Sequence, residues 1–177
     1  MAFIVETGAG LAGASSYASI ATIDIYWQSR PHLPTSALWL ASTTTLKQGA
    51  AIEATDYLDA TWGQSYRGNR MGNIQGRLFP RSNAKDNSGF LIEGIPDELI
   101  RATCELAGRA ISGPLSEDVA RGGMVKRKRE KLEGLEEETE YFDGAAIETR
   151  YGVVDKILAE ILDGTQPWAI TPSWEWR

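Results

Sequence analysis

The residue types that could do chemistry are few in this chain. It holds one histidine, His32, and one cysteine, Cys104. A Ser-His or Cys-His nucleophilic pair would depend on a single residue, and multi-His or Cys-rich metal sites are ruled out. His32 lies between Pro31 and Leu33 with no acidic neighbour in sequence, which predicts a surface or structural histidine rather than a base. Cys104 falls on the apolar face of a helical pattern, where a free thiol acts as a small hydrophobe. Asp56 and Asp59 follow one another along a second helical stretch and are predicted to lie on a solvated face. Carboxylate metal sites need a convergent set that the sequence does not display. Gly8-Ala9-Gly10-Leu11-Ala12-Gly13 has a superficial dinucleotide-loop spacing. It follows no buried strand and opens no βαβ unit, so a flexible arm is expected there. No P-loop and no Gly-x-Ser-x-Gly occurs. The expectation is a non-enzyme with no catalytic residue, no metal and no cofactor.

Two other segments could recognise a partner. The first runs from Val125 to Phe142 and passes from a basic block to an acidic block across Glu133-Gly134. With a two-residue turn there, Leu132 faces Leu135, Lys131 faces Glu136, Arg129 faces Glu138 and Arg127 faces Glu140. On the other face Lys126 meets Tyr141 and Lys128 meets Thr139, and only Glu130 opposite Glu137 is a like-charge clash. Each opposite-charge cross-strand pair contributes ~0.2–1 kcal/mol. A helix is the rival, because Lys, Arg, Glu and Leu are strong helix formers. Gly134 and the missing apolar stripe favour the hairpin. A two-stranded ribbon with few apolar residues is marginal alone. Arg127, Arg129, Lys131, Glu136, Glu138 and Glu140 are therefore a candidate interface between copies. A solvated charged arm and a polybasic nucleic-acid patch are the other readings.

The second segment is the C-terminal tail. Three of the six tryptophans, Trp168, Trp174 and Trp176, lie in the last ten residues. Tryptophan is enriched at interface hot spots, and Pro167 and Pro172 favour an extended segment that can lie in a groove. Docking into a partner is the preferred reading; folding back onto the chain's own core is the alternative.

The elements that must position these segments are mainly helical. With 177 residues, 42% hydrophobic and 24% charged, the chain suits one domain of ordinary size. No apolar run reaches the roughly 18 residues of a membrane helix, and the first residues lack the pattern of a secretory signal. The net charge is −6, and residues 113–149 hold ten acids and six bases, most of that asymmetry. An acidic chain argues against a general nucleic-acid binder.

Helices are expected from Ser19 (N-cap) to about Arg30, ended by Pro31 and Pro34, and over Thr44 to Trp62, with Gly63 as C′ residue. Two more are expected after Pro96, with Ile100, Cys104, Ala107 and Ile111 on one face, and over Thr149 to Leu162. Ala37-Leu38-Trp39-Leu40 is a further turn of helix or a lead-in, and residues 63–94 are a long loop, functional or ordered by a partner. The fold class is a small, mainly α bundle of about four helices with an inserted β-hairpin arm, long loops and an extended tail. Residues 1–164 form the helical domain, with the arm at about 124–142, and 165–177 the tail.

An ordered set of short segments carries a family resemblance. Ser16-Tyr17-Ala18-Ser19 is followed by Asp24-x-Tyr26-Trp27, Ala54-Thr55-Asp56-Tyr57-Leu58-Asp59-Ala60 and Arg67-Gly68. Then come Gln75-Gly76-Arg77-Leu78-Phe79-Pro80-Arg81, Asp86-x-x-Gly89 and Ile95-Pro96, leading into Arg101-Ala102-Thr103-Cys104-Glu105-Leu106-Ala107. The set covers about residues 16–162 and resembles the tailed-phage proteins labelled DnaT-like single-stranded DNA-binding proteins. It is also similar to head–tail connector, or adaptor, subunits. The family pattern often has Trp before the Pro-Arg, where this chain has Phe79, and the Trp-rich tail lies outside the match.

The resemblance implies a virion structural protein of a bacteriophage neck, made in the host cytoplasm. Copies would form a homo-oligomeric ring, a dodecamer, under the portal. The ring would extend the DNA channel and bear the next connector or the tail protein. Genomic DNA would pass through the lumen without sequence-specific binding, no membrane would be involved, and Trp168, Trp174 and Trp176 would dock into the portal. The alternative is a DnaT-like single-stranded DNA-binding protein using Lys126 to Lys131, Arg67, Arg70, Arg77 and Arg81 with interleaved aromatics.

Overall fold

The computed structural model describes residues 2–116, 125–131, 136–141 and 151–163. The chain divides into two compact units, Met1–Leu115 with Gly152–Arg177, and Ser116–Tyr151. The protein is mainly α, with five helices and a small antiparallel hairpin among the described residues.

In the first unit, α1 (Ile20–Gln28) begins at Ser19, whose Oγ accepts the Thr22 N–H at 3.0 Å. It ends before the predicted Arg30. Pro34 does not help stop it; it opens α2 (Pro34–Ala41). A proline fits there because the first-turn N–H has no intrahelical partner to lose. The short apolar patch at 37–40 is thus a fifth helix, and Trp39 on it is fully buried.

α3 spans Thr44–Trp62, as its sequence pattern predicts, with Thr43 as N-cap. Gly63 is not a left-handed C′ residue. Its φ is −55°, and the chain runs on into a 3₁₀ turn at Gly63–Ser65. The glycine makes room for the Leu78 side chain, whose end would have to shift for a Cβ.

α4 (Asp97–Ala110) follows Pro96. Leu99, Ala102, Thr103 and Leu106 make its buried face along with Cys104 and Ala107, whereas Ile100 and Ile111 are only half-buried. Gly108 lies against Trp27, where any side chain would overlap the indole. α5 (Gly152–Leu158) is shorter than predicted. Val154 and Leu158 face inward, Val153 does not, and Ile161 and Leu162 are buried just past the helix end.

The core lies where α3 and α5 pack on α4, with α1 and α2 beside them. Trp27, Trp39 and Trp62 are its largest fully buried side chains. Each indole N–H finds an acceptor: Cys104 O at 3.2 Å, Asp24 Oδ1 at 2.7 Å and Asp155 Oδ1 at 2.9 Å. A buried indole needs that partner to avoid a desolvation penalty.

The segments expected as a flexible arm and as a long loop are both held in place. Residues 4–16 form a closed loop, with a bridge between Val5 and Ser16. The buried Glu6 carboxylate accepts the N–H groups of Gly8, Gly10 and Leu11 at 2.9, 3.0 and 2.8 Å. Gly8 and Gly10 take positive φ, 95° and 74°, which turns their amides onto one point. The glycine spacing therefore serves an internal carboxylate, and the flexible-arm expectation is corrected. Residues 63–94 are also ordered within the chain. β1 (Asn69–Arg70) pairs with β2 (Arg81–Ser82), and Asp86 Oδ1 accepts the N–H groups of Ser88 and Phe90.

In the second unit, β3 (Val125–Lys131) pairs antiparallel with β4 (Glu136–Tyr141). Arg127 lies opposite Glu140, Lys128 opposite Thr139, Arg129 opposite Glu138, Glu130 opposite Glu137 and Lys131 opposite Glu136. That is the register read from the charges. It departs at one place: Val125, not Lys126, is opposite Tyr141, with a bulge between Val125 and Arg127. Leu132, Glu133-Gly134 and Leu135 lie outside the described residues, as do Trp168, Trp174 and Trp176.

Candidate functional site

The four arginines that a DNA-binding reading would use sit in or beside the 63–94 loop, and each is engaged by the chain itself. Arg67 donates to Leu162 O at 2.9 Å, to Lys85 O at 3.1 Å and to Asn87 Oδ1. Arg70 donates to Gln75 O at 2.8 Å. Arg77 donates to Ala14 O at 3.1 Å and Ser15 O at 2.7 Å and pairs with Asp56 and Asp59. Arg81 donates to Arg67 O and Gly68 O, at 2.8 and 2.6 Å. The guanidinium forks thus satisfy carbonyls of the loop itself, at Arg67, Gly68, Gln75 and Lys85, and tie it to Ala14, Ser15 and Leu162. Arg70 remains exposed; the other three are at least partly withdrawn from solvent.

The aromatics next to these arginines in sequence are withdrawn as well. Tyr66 and Phe79 are 2% and 0% exposed and meet edge to face with centroids 5.1 Å apart. Neither ring offers a face for a base to stack on. Phe90, 72% exposed at the turn closed by Asp86, is an aromatic of this loop that does face solvent.

Beneath the loop lies a polar node. The Tyr17 hydroxyl donates to Asp59 Oδ1 at 2.6 Å and accepts the N–H groups of Leu78 and Phe79 at 3.0 and 3.2 Å. The Asp59 side chain is 15% exposed. Burial pushes its carboxyl up to about 6, against the opposing pull of Tyr17 and Arg77. Burial and Asp59 likewise push the Tyr17 hydroxyl well above its usual range, so it stays a donor. Asp59 is therefore not on a solvated face as expected; it ties α3 to the loop, while the exposed Asp56 pairs with Arg77. The sequence offered one signal: a long glycine-rich segment with little helix or sheet has to find partners for its buried backbone groups elsewhere, side chains among them.

The remaining candidates fall apart as a site. His32 is exposed in the turn between α1 and α2. Cys104 is buried, and that burial pushes its thiol up to about 12, so at neutral pH it is not a nucleophile. Among the described residues no group of three or more His, Cys, Asp or Glu could hold a metal ion, and no helix is long and apolar enough to cross a membrane. A shallow depression between α4 and α5 is rimmed by Glu98, Arg101, Lys156 and Glu160 over Val153 and Ile157. Two carboxylates beside two cations there form an ordinary charged surface.

The six residues of the predicted interface are brought together by the β3–β4 register. They share no compact unit with the arginine-tied loop, so the proposed cations fall into two sets. No curated protein and no solved structure matches the chain. A family model does match it, over residues 1–172, and on that match the chain belongs to the family described as "Putative DnaT-like ssDNA binding protein".

Proposed function

We propose that the chain is a non-catalytic assembly subunit that surrounds DNA without gripping it, in the manner of a tailed-phage head–tail connector. The observation that carries this reading is the engagement of Arg67, Arg77 and Arg81 by the chain's own carbonyls and carboxylates. Cations committed in this way are poorly placed to release counterions from phosphates, which is the main source of affinity for DNA. The overall charge of −6 works in the same direction. A conduit wall has to let DNA slide, and weak phosphate contact suits that task. In this reading copies form a ring on the portal, and Trp168, Trp174 and Trp176 dock there. Its further partners are the next connector or tail protein, and its place is the virion neck.

Single-stranded DNA binding is the second reading, and the family match favours it more directly. It would rest on the basic strand β3 and on exposed groups such as Arg70 and Phe90. Titrating a labelled oligonucleotide at physiological and at low salt separates the two. The connector reading expects weak binding that vanishes at physiological salt, together with a ring seated on purified portal in negative-stain images. Tight binding at physiological salt with no association to portal overturns it. Truncation after Gly164 should abolish portal docking while leaving the helical circular dichroism intact; unchanged docking removes the tail from the proposal.

A further inference from the structure

The arm carries a second inference. β3 and β4 form a two-stranded sheet, so each has an outer edge with no further strand among the described residues. Isolated ribbons of this kind are marginal, and open edges invite another strand. Proteins often protect such edges with charge, and charge of one sign on both strands would repel a second copy. Here the signs are split. β3, Val-Lys-Arg-Lys-Arg-Glu-Lys, carries five bases and one acid, and β4, Glu-Glu-Glu-Thr-Glu-Tyr, carries four acids and no base.

That split decides which pairings between copies are allowed. A two-fold pairing would set β3 against β3, or β4 against β4, and place like charges opposite one another. A lateral repeat sets β3 of one copy against β4 of the next. Because β3 and β4 run in opposite directions, the new seam is antiparallel, like the hairpin itself. Every seam is then basic against acidic.

We infer that the arm is the seam between copies of this chain: the outer edge of β3 in one copy adds to the outer edge of β4 in the next. A contact of this kind is heterologous and generates a ring when its rotation closes. The inference deepens the connector reading and rests on it for the ring alone. The seam can be measured without portal or DNA, so either can fail without the other.

The test exchanges the charges of the three facing pairs. One variant carries Arg127→Glu, Arg129→Glu and Lys131→Glu together with Glu136→Lys, Glu138→Lys and Glu140→Lys. Its own hairpin keeps complementary strands, and its copies remain complementary to each other. Mixed with the native chain, it meets like charge at every seam. Native mass spectrometry should show native and exchanged oligomers each forming alone. Mixed oligomers should fall to about a tenth of their statistical share or less. The native oligomer should also loosen as salt rises, since exposed charge pairs are screened. Free mixing of the two chains overturns the seam. So does a native chain that stays monomeric at every concentration, or an oligomer that survives replacement of residues 117–150 by a Gly-Ser linker. If the exchanged chain fails to fold, the salt titration and the linker variant still decide the matter.

Discussion

The arginine-tied loop and the β3–β4 arm use the same residue types in opposite ways. In the loop, Arg77 is only 11% exposed and binds Ala14, Ser15, Asp56 and Asp59. Its charge is consumed inside one chain, and it holds the N-terminal loop, α3 and the 63–94 segment together. In the arm, the strand register sets Arg127, Arg129 and Lys131 opposite Glu140, Glu138 and Glu136, a basic strand beside an acidic one. In the proposed seam that charge acts twice, once within the hairpin and once toward a neighbour. A cation's neighbours, more than its identity, decide whether it serves folding or association. Counting Lys and Arg for a DNA surface would have pooled arginines bound within the helical unit with the cations of the arm.

The contrast can be broken most strongly at Arg77. Arg77→Ala removes the donor to two carbonyls and leaves the Asp59 carboxylate buried beside Tyr17 without its cation. The two carbonyls left without their donor and the weakened pairing should together cost about 2–3 kcal/mol, to be read by urea unfolding at neutral pH. A loss near that of an exposed pair, below about 1 kcal/mol, would mean the loop does not depend on it. Binding to an oligonucleotide should be unchanged in this variant, because the guanidinium is already engaged.

A smaller effect is expected from pH. The Asp59 carboxyl is raised from 3.8 to about 6 by burial. Between those values the folded chain holds a proton that the unfolded chain has released. This contribution is therefore fully present below 3.8 and is lost as pH rises through about 6. That difference corresponds to about 3 kcal/mol at most. Unfolding free energies measured from pH 4 to pH 7 should show this fall in the native chain and a flatter profile in Asp59→Asn. An identical slope in both would assign the titration to another group.

The smallest effect on folding is expected in the arm. Arg129→Glu should change the stability of the helical unit by less than about 0.5 kcal/mol. It should nonetheless weaken self-association in sedimentation velocity. A variant that unfolds the helices and leaves association intact would invert the comparison.

Sequence patterning alone located α3, α4 and the strand register, because each depends on local periodicity or on pairing across a short turn. Cys104 as a buried, inert thiol was legible for the same reason: its helix pattern places it inward. Other features were not legible. Pro34 could end α1 or open α2, and only the burial of Trp39 against Asp24 and the neighbouring helices decides it. Asp56 and Asp59 look alike in sequence, yet one is exposed beside Arg77 and the other lies under Tyr17.

The sequence by itself determined a mainly α chain, a charge-split hairpin and membership of one family. Only the tertiary structure decided where the charges go. Glu6 caps a loop that looked flexible, and Arg67, Arg77 and Arg81 bind carbonyls up to 95 residues away in sequence. Periodicity reports which face of an element is apolar. It carries no information about which distant backbone groups lack a partner, and those unsatisfied groups are what draw the arginines inward.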